Sequence, residues 1–427
     1  MRTSDSTLVI CSHKISLATV NRIVVVGAGK AGVGMATALE QALGDSVVNA
    51  KLSGWINVPE DCLPADGESH PRKIHLHPAR PAGVNEPTPE GIKGALEILK
   101  SVSCLGPDDV CVVLLSGGGS ALLPAPVEGI TLTDKQKVTR LLMHAGATIN
   151  ELNCVRKQLS QIKGGGLARA AKAGRVVTLI ISDVIGDPLD VIASGPTVAD
   201  SSTAAEAVEI LQKYSSRQEE IPISVWEHLT AKKNTETKSQ PIPETVHNYV
   251  IGNNEVALNA AAERARDLGY QVHSLGSDNQ GEARVVGREL ADLCRRIRDD
   301  GKPLSPPACL LSGGEPVVHV VKTDQPQKGG RNQELVLAGL ELLWEDGMDD
   351  IVLLSGGTDG EDGPTDAAGA IADSRLLRKA RSQGLVPGDY LAVNNSYPYF
   401  DQIGGLLKTG PTHTNVMDLR VCLVGLP

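Results

Sequence analysis

Apolar runs cut off abruptly by glycines set the rhythm of this chain. Val110–Leu115 (VCVVLL) is followed at once by Ser116-Gly117-Gly118-Gly119-Ser120. A short apolar run bounded by glycines reads as a strand buried on both faces, as in a parallel sheet. The pattern returns in residues 308–316 (ACLLSGGEP) and 350–365 (DIVLLSGGTDGEDGPT). Residues 22–26 (RIVVV) predict a first strand, which runs into Gly27-Ala28-Gly29-Lys30-Ala31-Gly32 and a helix closed by Gly44. Thr88-Pro89-Glu90 starts a helix, with a cap residue and then proline at the first helical position. Thr133-Asp134 is expected to cap another, and residues 176–182 (VVTLIIS) form a further strand.

From about 214 to 245 the periodicity is lost and Lys, Thr, Glu, Ser and Pro accumulate, which predicts a domain junction. The rhythm then restarts with a strand at 249–252, a helix at 254–268, a strand at 270–275 and a helix at 281–298. A last long helix is entered through Lys328-Gly329-Gly330-Arg331-Asn332-Gln333-Glu334. Strands alternating with helices in this way predict an α/β fold.

At 427 residues the chain has room for two domains of roughly 150 residues each or more. With one Phe and three Trp, the core must be built from Leu, Val, Ile and Ala. A net charge of −10 argues against a nucleic-acid surface, so an anionic ligand would need local cations. The eight cysteines contain no C-x-x-C pair, which disfavours zinc and disulfide frameworks and favours a reducing compartment. No apolar run reaches the roughly 18 residues of a membrane helix. A cytoplasmic location is expected; the opening residues, with Arg2, Lys14 and several Ser and Thr, make a mitochondrial transit peptide the alternative and a ragged N-terminus an equal reading.

The candidate chemistry sits where the strands end. Three apolar runs each deliver Ser-Gly-Gly to a carboxyl end, where open α/β sheets bind ligands and glycine backbones can aim N–H groups at an anion. GAGKAG is formally G-x-G-x-x-G, but residues 47–58 (VVNAKLSGWINV) lack the acid that a dinucleotide site wants about 20 positions on. Lys30 inside that loop suits a phosphate. Lys163, directly before three glycines in a basic stretch, stands at a turn an anion could approach. Arg331 opens a glycine-rich helix start, a ready anion site. Asp183 and Asp187 could hold a hard cation or cap turns. Asp359 lies in a loop dense in carboxylates, suited to metal binding or hydroxyl activation.

Together these stretches resemble the class II glycerate kinase family, whose C-terminal domain is called MOFRL. The matching segments include VVGAGKAGVGMA, LLSGGGSALLPAP, SDVIGDPLDVIASGPTVAD, KGGRNQELVLA, SGGTDGEDGPTDAAGA and TGPTHTNVMD, in family order. The resemblance implies ATP- and Mg²⁺-dependent phosphorylation of D-glycerate, with 2-phosphoglycerate favoured. It implies a larger Rossmann-like N-terminal domain over 22–235 and a smaller α/β C-terminal domain over 246–427, with the active site in the cleft between them. Lys30 and Arg331 match the family's essential basic residues, and Asp359 joins them as the third catalytic candidate. Gly117, Gly118, Gly119, Ser120, Lys163, Gly313, Gly314 and Glu315 are assigned to the nucleotide. Asn332, Thr358, Thr412 and Asn415 are assigned to the substrate, and Asp183 and Asp187 to the metal. Small molecules are the only partners expected, with no nucleic acid and no membrane, for a monomer or homodimer. The chain departs from the family in having about 21 residues before its first strand and in reading Asn394-Asn395-Ser396 where the family has Asn-Asp-Ser. Two rival readings are an NAD-dependent oxidoreductase using GAGKAG and a degraded kinase that only binds nucleotide.

Overall fold

The structure, a computed structural model, describes residues 2–4, 7–65, 69–84, 86–215, 220–235 and 241–425. The chain divides into two compact units, Met1–Ser182 with Asp187–Ile251 and Asp183–Gly186 with Gly252–Pro427.

The first unit is built on a six-stranded sheet. From edge to edge its strands are Ile74–Arg80, Leu52–Pro59, Ile23–Ala28, Val110–Leu115, Arg175–Ile181 and Val246–Gly252. Numbered along the chain, that order is 3-2-1-4-5-6, the doubly wound order of nucleotide-binding folds. The pairs among the first five strands are all parallel. Every residue of Ile23–Ala28 and Val110–Leu115 is buried, as the unbroken apolar runs predict. A Cβ on Gly27 would lie 2.0 Å from the Leu114 carbonyl oxygen, so only glycine lets these two strands run side by side here. The strand order reverses between this pair. Their following loops therefore leave in opposite directions, which opens a crevice at the carboxyl ends.

Four expectations change. Val246–Gly252 completes this sheet and does not open the second domain, so the units part at 251/252. The stretch read as a junction holds the helix Ile223–Thr235, whose Val225 and Leu229 are fully buried beside Leu211. One buried residue per turn anchors a helix that composition alone hides; residues 216–219 and 236–240 of that stretch lie outside those described. Near the N-terminus, Thr7–Ile10 and His13–Ser16 pair as an antiparallel hairpin with Leu8 and Ile10 fully buried, so residues 7–16 are part of the fold. The cap of helix Leu132–His144 is also Thr131, in a reciprocal box with Asp134, and not Thr133.

The second unit has a mixed sheet ordered Gln271–Ser274, Ala308–Gly314, Asp418–Val424, Ile351–Gly357, Gly369–Ala372 and Leu406–Leu407. Only its first pair is parallel. Asp418–Val424 runs antiparallel between the two remaining Ser-Gly-Gly strands. The register pairs Arg420 with both Ser312 and Ser355, and Asp418 with both Gly314 and Gly357. Helices Ala283–Asp300 and Arg331–Leu342 pack closely, with Val286, Leu290, Val336 and Leu340 in the shared core. A Cβ on Gly287 would meet the Leu335 carbonyl oxygen at 2.0 Å, so glycine sets their approach.

Candidate active site

In the first unit the crevice brings two of the predicted loops together. The Lys30 amide donates to the Gly117 carbonyl at 2.9 Å, and the Ala31 amide to Ser116 Oγ at 3.0 Å. The Gly29 amide goes to Asn57 O and that of Gly32 to Gly29 O. The G-x-G-x-x-G turn has thus spent its amides inside the protein, and the Lys30 side chain is half-buried. The neighbouring loop is different. Among the described residues the amides of Gly117 and Gly118 make no hydrogen bond. Gly118 sits at φ 81°, ψ −6°, the left-handed region that lets consecutive N–H groups converge on an anion. The Arg80 guanidinium lies beside it, 3.3 Å from where a Gly118 Cβ would be. Sequence reasoning passed over Arg80; its signal was a cation closing an apolar strand (IHLHPAR) at the ligand-binding end of the sheet.

Lys163 does not face an open turn. It is 4% exposed, and its Nζ donates to Ser120 O at 2.7 Å and Ser120 Oγ at 2.6 Å. Three glycines follow because the chain must close tightly there: Gly164 and Gly165 have φ of 53° and 79°. Lys163 is therefore removed from the residues that could touch a nucleotide directly. Gly119 is buried against Ala193 and Ala28. Ser120 remains partly exposed.

In the second unit the centre is Arg331. Its Nε and Nη2 donate to Asp418 Oδ2 and Oδ1 at 2.7 and 3.0 Å, a bidentate pair, and its Nη1 lies 2.8 Å from Glu315 Oε1. Burial works against the charge, but the two carboxylates outweigh it and raise the Arg331 pKa. Asp418 is fully buried, whereas the Glu315 side chain is 45% exposed. Arg420, fully buried two residues along the same strand face, reaches Ser312 Oγ and the Gly314 carbonyl. Neither Asp418 nor Arg420 was singled out from sequence, although MDLRVCLV places two charges two apart in an apolar strand.

The start of helix Arg331–Leu342 is not an open anion site. Asp362 Oδ1 accepts from the Asn332 amide at 3.0 Å and Oδ2 from that of Gln333 at 2.9 Å. A carboxylate from a distant loop thus supplies the cap that Gly330 cannot. Burial pushes the Asp362 carboxyl up to about 6, against the pull of those amides. Asn332 is also withdrawn from the substrate list: it is fully buried, and its Oδ1 accepts from Ser355 Oγ. Thr358 and Thr412 spend their hydroxyls on the carbonyls of Met417 and Thr358. Asp359 Oδ1 accepts from the Glu361 amide, as in a turn. Asp183 accepts from Asn415 Nδ2 at 3.2 Å, and Asp187 belongs to the other unit. Among the described residues no three His, Cys, Asp or Glu side chains gather as metal ligands. Asn395 Oδ1 accepts from the Lys328 amide at 3.0 Å and so braces the Gly329-Gly330 turn, a task either an amide or an acid can perform.

A cavity of about 810 Å³ opens beside Arg331. Glu315, Asn394 and Arg331 line it, with an apolar wall of Val317, Val318 and Val320. Gly313, by contrast, is buried against Asn254, and Gly314 lies against Asn279. Behind the cavity Arg284 Nε binds Glu334 Oε1 at 2.6 Å, and Asn394 Nδ2 donates to Glu334 Oε2 at 3.0 Å.

Residues 2–230 match the family model described as a domain of unknown function, DUF4147, and residues 308–418 match the MOFRL family. A glycerate kinase of Danio rerio is 40% identical, over 96% of this chain and 90% of its own length. A protein of Agrobacterium vitis named as a hydroxypyruvate reductase is 42% identical, over 95% of this chain and 87% of its own. The D-glycerate 2-kinase of Thermotoga maritima is 37% identical, over 95% and 91%. The crystal structure of a Thermotoga maritima glycerate kinase superposes with a TM-score of 0.83, covering 96% of this chain and 92% of that one. The chain belongs to the glycerate kinase family that carries a C-terminal MOFRL domain.

Proposed function

We propose that this protein transfers the terminal phosphoryl group of ATP to D-glycerate, with 2-phosphoglycerate as product. The observation that carries the reading is the pair of uncommitted amides at Gly117 and Gly118 beside Arg80, at the point where the order of the first sheet reverses. Phosphoryl transfer asks a protein mainly to position the reactants and to stabilise charge on the phosphoryl oxygens. Backbone amides, Arg80 and Lys30 supply fixed positive ends there without reorganisation. In the second unit Glu315 occupies the outer nitrogen of Arg331; it is exposed, so a glycerate carboxylate can take its place while Asp418 keeps the guanidinium in position. Mg²⁺, when bound to the nucleotide, would neutralise phosphate charge; among the described residues no three His, Cys, Asp or Glu side chains gather to hold it, and no step here depends on such a site. The name of the Thermotoga maritima relative supports the 2-position.

The test is an ADP-release assay across small hydroxy acids, with phosphorus and carbon NMR of the product. Phosphorylation of glycerate at the 2-hydroxyl is expected. Equal kcat/KM for glycerol would sink the carboxylate role of Arg331.

The sheet order and the name of the Agrobacterium vitis relative favour a second reading, a nicotinamide-dependent reductase. Against it, the amides of the GAGKAG turn are already used. The end of the second strand also carries Asn57, buried and bonded to the Leu122 carbonyl, where a ribose-binding acid would stand. Oxidation of NADH by hydroxypyruvate, with no ADP release from ATP and glycerate, would reverse this preference.

A further inference from the structure

Lys163, Ser120, Ser194 and Asn153 form a hydrogen-bonded chain that leads from a partly exposed hydroxyl to a buried amine. Lys163 Nζ lies 2.6 Å from Ser120 Oγ and 3.3 Å from Ser194 Oγ. Ser120 Oγ is 3.0 Å from Ser194 Oγ, and Ser194 Oγ donates to Asn153 Oδ1 at 3.1 Å. Asn153, Lys163 and Ser194 are all buried, and Ser194 is fully so. Proton bookkeeping then gives the chain a direction. The hydrogen of Ser194 is committed to Asn153, so Ser194 has none to give to Ser120 or Lys163. As an ammonium Lys163 donates to Ser120 Oγ; as a free amine it donates to Ser120 O and Ser194 Oγ and accepts from Ser120, whose hydrogen is then the one that can pass to it, and Ser120 is the one member open to a ligand. The backbone supports this placement at a cost: Ala193 and Ser194 have φ of 51° and 61°, which non-glycine residues rarely adopt.

Among the described residues Lys163 has no counter-ion. Lys135, from helix Leu132–His144, gives its Nζ to the Leu159 carbonyl. Arg156, from helix Ile149–Gln158, makes no ion pair among the described residues. The carboxylates on that side, Asp190 and Asp200, are held by Lys157 at 3.3 and 3.4 Å. Burial, with repulsion from Lys135 and Arg156, holds the Lys163 pKa well below the usual lysine range.

We propose that Ser120 and Lys163 are the proton relay that accepts the hydroxyl proton of the phosphoryl acceptor. This rests on the kinase reading above. As the acceptor oxygen bonds to the terminal phosphorus of the nucleoside triphosphate, the bond from that phosphorus to the leaving diphosphate breaks. The acceptor O–H proton passes to Ser120 Oγ while the Ser120 proton passes to the free amine of Lys163, which ends the step as an ammonium and later returns its proton to solvent.

The experiment compares the full-length wild type with Ser120→Ala and Lys163→Arg from about pH 5.5 to 9.5, by ADP release with ATP and glycerate. Ser120→Ala, a small change at a partly exposed site, should lower kcat roughly 10²-fold with little change in the KM for ATP or in the melting temperature. The wild type should lose activity on its acid side as Lys163 becomes protonated, and Lys163→Arg should be slow without that limb. Carbon NMR of labelled lysines, with Lys163 assigned by its loss in Lys163→Arg, should show its amine forming well below the usual lysine range. A Ser120→Ala variant with wild-type kcat, or a Lys163 that stays an ammonium at about pH 9.5, overturns the relay and leaves the kinase reading standing. A wild type that yields no phosphorylated acid overturns both.

Discussion

Arg331 can be tested so that its two tasks separate. Replacing it with alanine removes a cation from the cavity and also strands Asp418, which is fully buried and would retain only Arg420 at 3.9 Å. Removing one partner of a buried pair costs about 3–5 kcal/mol, because the other charge remains without compensation. Arg331 is itself one-third exposed, which favours the lower end, about 3 kcal/mol. In a unit of this size each kcal/mol shifts the melting temperature by roughly 2–4 °C, so Arg331→Ala should lower it by roughly 6–12 °C. If the guanidinium also stabilises charge that develops in the transition state, kcat should fall roughly 10²-fold or more.

The two losses should respond differently to a second change. Adding Asp418→Asn to Arg331→Ala takes away the stranded charge and should recover much of the melting temperature, yet none of the rate. Arg331→Lys should recover part of the stability but not the turnover, since an ammonium cannot reproduce a two-nitrogen fork on Asp418. Calorimetry reports the first quantity and ADP release the second. If Arg331→Ala melts within a degree or two of the wild type, the stranded-charge account is wrong. If the double variant regains turnover, Arg331 acts only by neutralising Asp418 and must leave the catalytic list.

Lys30→Ala should lower kcat roughly 10²-fold with a small effect on the KM for ATP, if its ammonium stabilises charge on the transferring phosphoryl group; steady-state kinetics decides it, and a near-normal kcat would make the loop purely structural. Lys135→Met should stabilise the protein at neutral pH by about 1–4 kcal/mol, and the Leu159 carbonyl keeps the Val127 amide as a donor. Burial lowers the Lys135 pKa from 10.5 to about 7, so the unfolded chain binds more protons between those values and stability from this group rises with pH across that window. The advantage of methionine should therefore shrink in urea denaturation toward about pH 10. Asp362 has the opposite slope: its pKa rises from 3.8 to about 6, so the folded state holds the proton more tightly and its destabilising effect grows as pH climbs through that range. Asp362→Asn should flatten that dependence, measured as urea midpoints from about pH 4 to 7.

Much of the architecture was legible because it depends on local pattern. The unbroken apolar runs at Ile23–Ala28 and Val110–Leu115 could only be strands covered on both faces, and both are entirely buried. The helix Ile223–Thr235 was missed because its polar composition masks the few positions that bury it. Val246–Gly252 was placed in the wrong unit because a sixth strand of one sheet and a first strand of the next look alike along the chain. Strand order is decided by pairing, which composition does not carry.

The candidate site divides along the same line. Glycine next to a cation marks a place where an anion could bind, and Lys30, Lys163 and Arg331 were all found that way. Whether the donors at such a place are still free is a non-local question. The amide of Ala31 is taken by Ser116, 85 residues later, and that of Asn332 by Asp362, 30 residues later. Lys163 is taken by Ser120 from the other side, 43 residues earlier. Each of these acceptors is short and polar and could equally have served its own turn, so no spacing rule reveals the pairing. At Gly117 and Gly118 nothing among the described residues claims the amides, and that difference, visible only once the strands are paired, separates the loop offered to a ligand from those that hold the fold together.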